Sequence, residues 1–270
     1  MVDPQGAPGA RPDGQVQSVA RAFALLDALA AEDAGAALPL AELASRTGLA
    51  MPTAHRLLRT LVGLGHVRQL ENRDYALGAG LIGLGERATP RLAELAKPVL
   101  ARLEGVAEET ANLALLDGDL VSYIAQVPSR HRMRMFTEVG RRVLPHASGV
   151  GKAMLAAIPE PRAREILRRT GQPRYTPTTL ASESALLADL RETRRRGFAI
   201  DDGEQEVGVR CIAVAIPGAS PPAAVSISGP AARMTDAIVE TSVRELTAAA
   251  RELAAAPGVG AAPVSGSPRS

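Results

Sequence analysis

A single cysteine, Cys211, in 270 residues excludes an internal disulfide framework and any cysteine-cluster zinc site, and it fits a reducing compartment. No apolar run approaches the ~18 residues of a membrane helix. The opening MVDPQGAPGARPDGQ lacks the apolar core of a signal peptide, so a cytoplasmic chain with no membrane partner is expected. Net charge is small as well: 31 Lys and Arg against 29 Asp and Glu leave +2, too little to argue for nucleic acid by itself. Hydrophobic periodicity is missing at both ends, where Pro, Gly and polar residues dominate 1–15 and 257–270, and both are expected to be disordered.

What remains has an ordinary globular composition, 46% hydrophobic and 22% charged, and is long enough for one to three domains. The most informative stretch is LPLAELASRTGLAMPTAHRLLRTLVGLGHV, residues 38–67. Leu40, Leu43 and Ala44 predict the inner face of a helix over 40–46, Thr47-Gly48-Leu49 supplies a tight turn, and Ala54, Leu57, Leu58 and Leu61 recur at i, i+3, i+4 and i+7. Burying that stripe turns Thr53, His55, Arg56 and Arg59 outward, as in a helix-turn-helix whose second helix enters a DNA major groove. Residues 1–88 hold eight Lys and Arg against nine Asp and Glu, yet 50–69 contain Arg56, Arg59 and Arg68 and no acid. Attraction to DNA is therefore a matter of placement.

Upstream, Val19, Ala22, Phe23, Leu26 and Leu29 predict a first helix behind an N-cap at Ser18. Downstream, HVRQL, ENRD and YAL predict a two-stranded wing, in which Arg68 and Arg73 read either as solvated surface arginines or as phosphate or minor-groove contacts. LGAGLIGLGERA predicts a linker helix over 78–89, and Leu92, Leu95, Val99, Leu100 and Leu103 predict another helix over 90–109. Strand-like runs follow at NLALL, LVSYIAQV and RMRMFTEV (132–139). Helices are predicted over 149–157, 160–169 and 182–196, strands at GVRCIAVAI and AAVSIS, and a closing helix over 234–256. Helices mixed with antiparallel strands in this order give an α+β class. In the third run Arg130, Arg132 and Arg134 alternate with His131, Met133 and Met135, which reads as a solvated sheet face.

Three features carry binding chemistry. LPHASGVGKAM places a glycine-containing helix start at Ser148, Gly149 and Val150, whose backbone N–H groups and positive dipole end suit an anion. Ser226 and Ser228, two apart on a strand, face one way and can donate to a carboxylate. Cys211 sits between Val209 and Ile212 as a small, weakly polar wall. The acids Asp201, Asp202, Glu204 and Glu206 have no histidine nearby and read as a solvated loop, not a metal site. No cofactor is expected.

VQSVARAFALLDAL, LAELASRTGLAMPTAHRLLRTL, YALGAGLIGLG, LPHASGVGKAMLA, RRRGFAIDDGEQEVGVRCIAVAI and VSISGP, in that order over 16–253, resemble the IclR family of bacterial transcription regulators. The resemblance implies a winged helix-turn-helix domain at 16–77 that binds operator double-stranded DNA, and a linker helix at 78–89. It also implies a GAF-like effector-binding domain at 90–256 and assembly as a homodimer or homotetramer. The implied ligand is a small carboxylic or aromatic acid, held by backbone at Ser148, Gly149 and Val150, by Asp201, by Cys211 and by Ser226 and Ser228. No enzymatic activity is implied. Two alternatives rest on Cys211, as a redox sensor or as the nucleophile of an enzyme; for the latter His146 is the one histidine placed to approach it.

Overall fold

The computed structural model describes residues 16–31, 36–88, 91–135 and 138–256. The two ends expected to be disordered lie outside these residues. The chain divides into two compact units, Met1–Ala88 and Thr89–Ser270.

The first unit carries α1 (Gln17–Ala30), α2 (Leu40–Thr47), α3 (Met51–Gly63), β1 (Val67–Gln69), β2 (Tyr75–Leu77) and α4 (Gly80–Ala88). Leu25, Leu43, Ala54 and Leu58 are fully buried between α1, α2 and α3; each leucine contributes roughly 2 kcal/mol by leaving water. Gly48 ends α2 in the left-handed region (φ 64°) and donates its N–H to Ala44 and Ser45 carbonyls, so the tight turn is a glycine-closed helix end. The wing is a short antiparallel ladder pairing Val67 with Leu77 and Gln69 with Tyr75. Its tip is shaped by Asn72, whose side chain accepts from Asp74 N–H at 3.1 Å and donates to the Asp74 carboxylate at 2.8 Å. Behind the wing, Gly78 N–H donates to His66 O at 2.8 Å and Gly80 N–H to Gly65 O at 3.0 Å. A Cβ on Gly78 would stand 2.3 Å from Gly65 O, so the end of α3 and the start of α4 meet backbone to backbone.

Two expectations change here. Val16, not Ser18, occupies the N-cap of α1, and no side chain caps that end. Of the stripe Val19, Ala22, Phe23, Leu26 and Leu29, Leu29 is buried beside Leu25 and Ala22 and Leu26 pack against that core, whereas Val19 is exposed and so, at 60%, is Phe23. It lines an apolar groove of about 450 Å³ with Leu57 and Leu64 of the α3 end and Leu81 and Leu84 of α4.

The second unit is one six-stranded antiparallel sheet, in the order β5-β4-β3-β8-β7-β6. Its strands are β3 (Thr110–Asp117), β4 (Leu120–Val127), β5 (Arg142–Val143), β6 (Ala199–Asp202), β7 (Val209–Ala215) and β8 (Ala223–Pro230). Strand alternation sends Leu113, Ile212, Val214, Val225 and Ile227 to one face, under α5 (Arg91–Ala107) and α9 (Asp236–Ala254). Ala114, Tyr123, Ala213 and Ala224 point to the other, under α6 (Gly149–Ala157), α7 (Glu160–Thr170) and α8 (Glu183–Arg196). The result is an α+β layer structure with polar side chains buried on the α6 face.

The run RMRMFTEV is not a strand among its described residues. The place beside β4 is taken by Arg142–Val143, pairing with Val121 and Ser122. Residues 132–135 form an irregular segment, tied down where Arg233 donates to Met133 O (2.9 Å) and Thr110 Oγ1 to Met135 O (3.4 Å). The alternating arginines therefore share no sheet face. Conversely β6, which pairs Asp201 with Cys211, was not expected as a strand.

Candidate functional site

The side chains expected to face DNA sit on α3 and the wing. His55, Arg56 and Arg59 are exposed and Thr53 is half-buried, opposite the buried Ala54, Leu58 and Leu61. Pro52 lies in the first turn, where its missing N–H costs no helical bond. Arg68 is exposed on β1 and Arg73 at the wing tip, the latter with φ 69°. A non-glycine residue in that region stores of order 1 kcal/mol, and here it turns a cation outward at the end of a hairpin.

The second cluster is assembled by register across the large sheet. Asp201 on β6 lies opposite Cys211 on β7, Cys211 opposite Ser228 on β8, and Ser226 opposite Asn112 on β3. All five are buried on the α6 face. Asn112 Nδ2 reaches both serine hydroxyls at 3.5 Å, and Gln126 Nε2 donates to Asn112 Oδ1 at 3.1 Å. Above them α6 begins. Ser148 caps it, its Oγ accepting from Gly151 N–H at 3.2 Å, while Lys152 N–H goes to Ser148 O. The amides of Gly149 and Val150 find no partner among the described residues and are the free donors of a helix start. Gly149 is pressed on the cysteine: a Cβ there would stand 2.8 Å from Cys211 Sγ. A cavity of about 20 Å³, lined by Gly149, Asp201, Cys211, Ser228, Tyr123 and Arg141 among others, lies between these groups, room for about one water.

The electrostatics are those of a dry site. Burial raises the Asp201 carboxyl to about 7, opposed by the hydrogen bond from Glu204 N–H at 2.7 Å. Burial likewise lifts the Tyr123 phenol above its ordinary range. Lys152 is 1% exposed and pairs with Glu204 and with Asp189 at 3.1 Å. The acid stretch is thus not the solvated loop expected: Asp201 and Glu204 are buried, although Asp202 is exposed and paired with Arg210 at 2.9 Å. Paired serines were legible. Asn112, Gln126, Tyr123 and Lys152 were not, because an amide inside the apolar run NLALL and a lysine on a helix gave no pattern to follow.

Chemistry at the thiol is weak. Burial pushes Cys211 up to about 11, so almost no thiolate exists at neutral pH. His146 Nε2 is spent on Pro173 O at 2.9 Å, and the ring packs against Tyr175. Cys211 of the native protein is therefore expected to stay unalkylated by iodoacetamide at pH 7 and to react on denaturation, a contrast that mass spectrometry reads directly; labelling of the native form would restore the nucleophile and redox readings.

Models of two domains match the chain: the IclR helix-turn-helix domain over residues 18–71 and the bacterial transcriptional regulator IclR C-terminal domain over residues 89–255. The chain belongs to the IclR family. It is 39% identical over 252 residues to the transcriptional repressor IclR of Escherichia coli strain K12, covering 91% of each chain. The IclR structure from Thermotoga maritima superposes with a TM-score of 0.74 at 27% identity, over 88% of this chain and 97% of that one. An IclR homologue from Microbacterium hydrocarbonoxydans, solved as a complex with 4-hydroxybenzoate, gives 0.71 at 27% identity, over 87% and 97%. As a member of the IclR family the chain is a DNA-binding transcription regulator, and its matched relatives are named as regulators, not enzymes. No helix among its described residues is long and apolar enough to cross a membrane, and no His, Cys, Asp and Glu group among them could hold a metal.

Proposed function

We propose that the chain is an effector-controlled operator-binding regulator. α3 reads the major groove, the wing touches the flanking backbone, and a small carboxylate seated against the start of α6 sets the affinity. The observation that carries the DNA half is the exposed face of α3, where His55, Arg56 and Arg59 stand over an acid-free stretch. Arginine there can grip guanine with two hydrogen bonds, whereas Arg68 and Arg73 are placed for phosphate. The experiment is a titration of labelled DNA from upstream of the chain's own gene against scrambled DNA of equal length at several salt concentrations. A specificity ratio above about 10³ is expected; equal binding of the two would overturn the assignment.

The effector half is supported by Gly149, Asp201 and Ser228, which line one cavity, with the free amide of Val150 next in sequence and the hydroxyl of Ser226 on the same strand face. The relative solved with 4-hydroxybenzoate supports a carboxylate as the ligand class. The cavity of about 20 Å³ holds about one water, so any acid needs the Met135 and Arg141 side of its wall to give way, an aromatic acid more than a short-chain one. To act as a switch the acid must bind two arrangements of the protein with different affinity.

Reading two half-sites calls for two copies. The apolar groove between α1, the end of α3 and α4 is the surface we assign to a second copy of this chain, since Phe23, Leu64, Ile82 and Leu84 are each more than half exposed without one. Phe23→Asp is expected to leave the large sheet domain folded while shifting the protein to monomer in light scattering and abolishing specific DNA binding. A Phe23→Asp protein of unchanged mass would place the interface elsewhere.

A further inference from the structure

We infer that Asp201 is protonated when the effector is bound and donates its proton in a hydrogen bond to the ligand, so that binding of a carboxylate takes one proton from solution. This rests on the reading of the cavity as a carboxylate site. It follows from a charge count around that cavity. Lys152 on α6 and Arg196 on α8 meet Glu204 and Asp189, at 3.1 Å for Lys152 to Asp189 and 3.9 Å for Arg196 to Asp189. Two buried or half-buried cations and two acids already balance, and Lys152, which also acts on Asp201, is engaged by both acids. Its own strand offers Asp202, already held by Arg210 on β7. From the facing elements it meets, at the cavity, the Cys211 thiol of β7, the Ser228 hydroxyl of β8 and the Tyr123 phenol of β4, while, beyond burial itself, the Glu204 carboxylate works to raise its pKa and the Lys152 ammonium to lower it. Arg141, beside β5, and Glu206 form the far wall.

Asp201 is 5% exposed, and the hydrogen bonds it accepts, from Glu204 and Gln205 N–H, both fall on Oδ1. A ligand carboxylate brought into about 20 Å³ beside a second carboxylate would place two anions in contact within a dry site, which one proton relieves. The free protein is poised for this, because burial already holds the carboxyl near neutrality. Protonated, Oδ2 becomes a donor, as the hydroxyls of Ser226 and Ser228 are. Asp201 then adds a donor to the Ser228 hydroxyl and the Gly149 amide, with Glu206 the carboxylate left on the far wall, and an acid is preferred over an amine or amide of equal size.

The test is calorimetry on the full chain with acetate, glyoxylate, pyruvate and 4-hydroxybenzoate, in phosphate and in Tris, from pH 5.5 to 9. For the acid that binds, the Kd is expected to be flat below pH 6.5 and to rise about tenfold per pH unit above 7. The buffer dependence of the heat should report uptake approaching one proton at pH 8 and none at pH 5.5. Asp201→Asn, which cannot titrate, should flatten the profile and remove the uptake, a change that loss of a merely structural contact does not produce. An acid that binds equally at pH 6 and pH 9 with no proton uptake overturns the inference alone. Failure of all four acids to bind at any pH overturns the carboxylate reading of the cavity and this inference with it.

Discussion

Gly151→Ala is expected to lose effector binding and to lower the melting temperature of the C-terminal domain by about 5–15 °C. The added Cβ would stand 2.3 Å from Pro145 O, 2.5 Å from Pro145 Cα and 2.6 Å from Ser148 Oγ. Two of those atoms belong to the backbone of the 3-10 turn Pro145–Ala147, so no side-chain rotation relieves the overlap. Either α6 slides along its axis or the turn opens. Both break the Ser148 cap on Gly151 N–H and misplace the amides of Gly149 and Val150. Overpacking of this kind together with a lost cap costs roughly 2–4 kcal/mol, which for a domain of this size gives the shift stated, at ~2–4 °C per kcal/mol. Gly105→Ala is the control: it lies exposed in α5 with nothing within 4 Å of its Cβ position, and should gain a few tenths to ~1 kcal/mol from helix propensity. Differential scanning calorimetry distinguishes the two, and a Gly151→Ala protein that melts with the wild type would show that the cradle has slack the structure does not contain.

Arg56→Ala combined with Arg59→Ala is expected to weaken specific DNA binding at least a hundredfold while leaving the fold untouched. Both side chains are exposed, and among the described residues neither has an ion pair to lose. Each arginine that reads a base contributes ~1–3 kcal/mol of discrimination, and a dimer carries each twice. Salt separates the possible roles. An arginine on phosphate should reduce the slope of log K against log salt by about 1 per contact and weaken all sequences alike, whereas one on guanine should lower the specific constant and spare the nonspecific one. Because the surrounding 88 residues hold eight basic against nine acidic residues, little bulk attraction is left to mask the loss. Binding of operator DNA unchanged in the double variant would remove α3 from the interface.

The helix-turn-helix could be read from sequence because its determinants are local: a glycine at the turn and an apolar stripe at helical spacing on each side. The serine pair could be read for the same reason, since strand alternation alone puts residues 226 and 228 on one face. The rest depended on pairing over long distances. AIDD becomes β6 only because Cys211 and Ala213 present a free edge to it, and nothing within those four residues announces a strand. RMRMFTEV has the right alternation, but Arg142–Val143 occupies the edge of β4 that it would need. Phe23 and its neighbours show the limit of periodicity most plainly: the helical stripe is real, but within its own unit Phe23 stays 60% exposed. Lys152 is a fourth case, since its burial makes sense only beside Asp189 and Glu204, 37 and 52 residues away in sequence.

The backbone-to-backbone joint of Gly65 and His66 with Gly78 and Gly80 makes α3 and α4 a bell crank. Two backbone hydrogen bonds bridge the joint and the His66 ring lies beside Gly80, so a turn of α4 is expected to carry α3 with it. The 13 residues of α3 make an arm about 20 Å long at ~1.5 Å per residue. A rotation of roughly 10° at the joint moves its far end about 3.5 Å, close to the ~3.4 Å rise of one base pair along a strand. A tilt of about 10° in a nine-residue helix would thus be enough to shift the far end of α3 by about one base-pair step along the DNA.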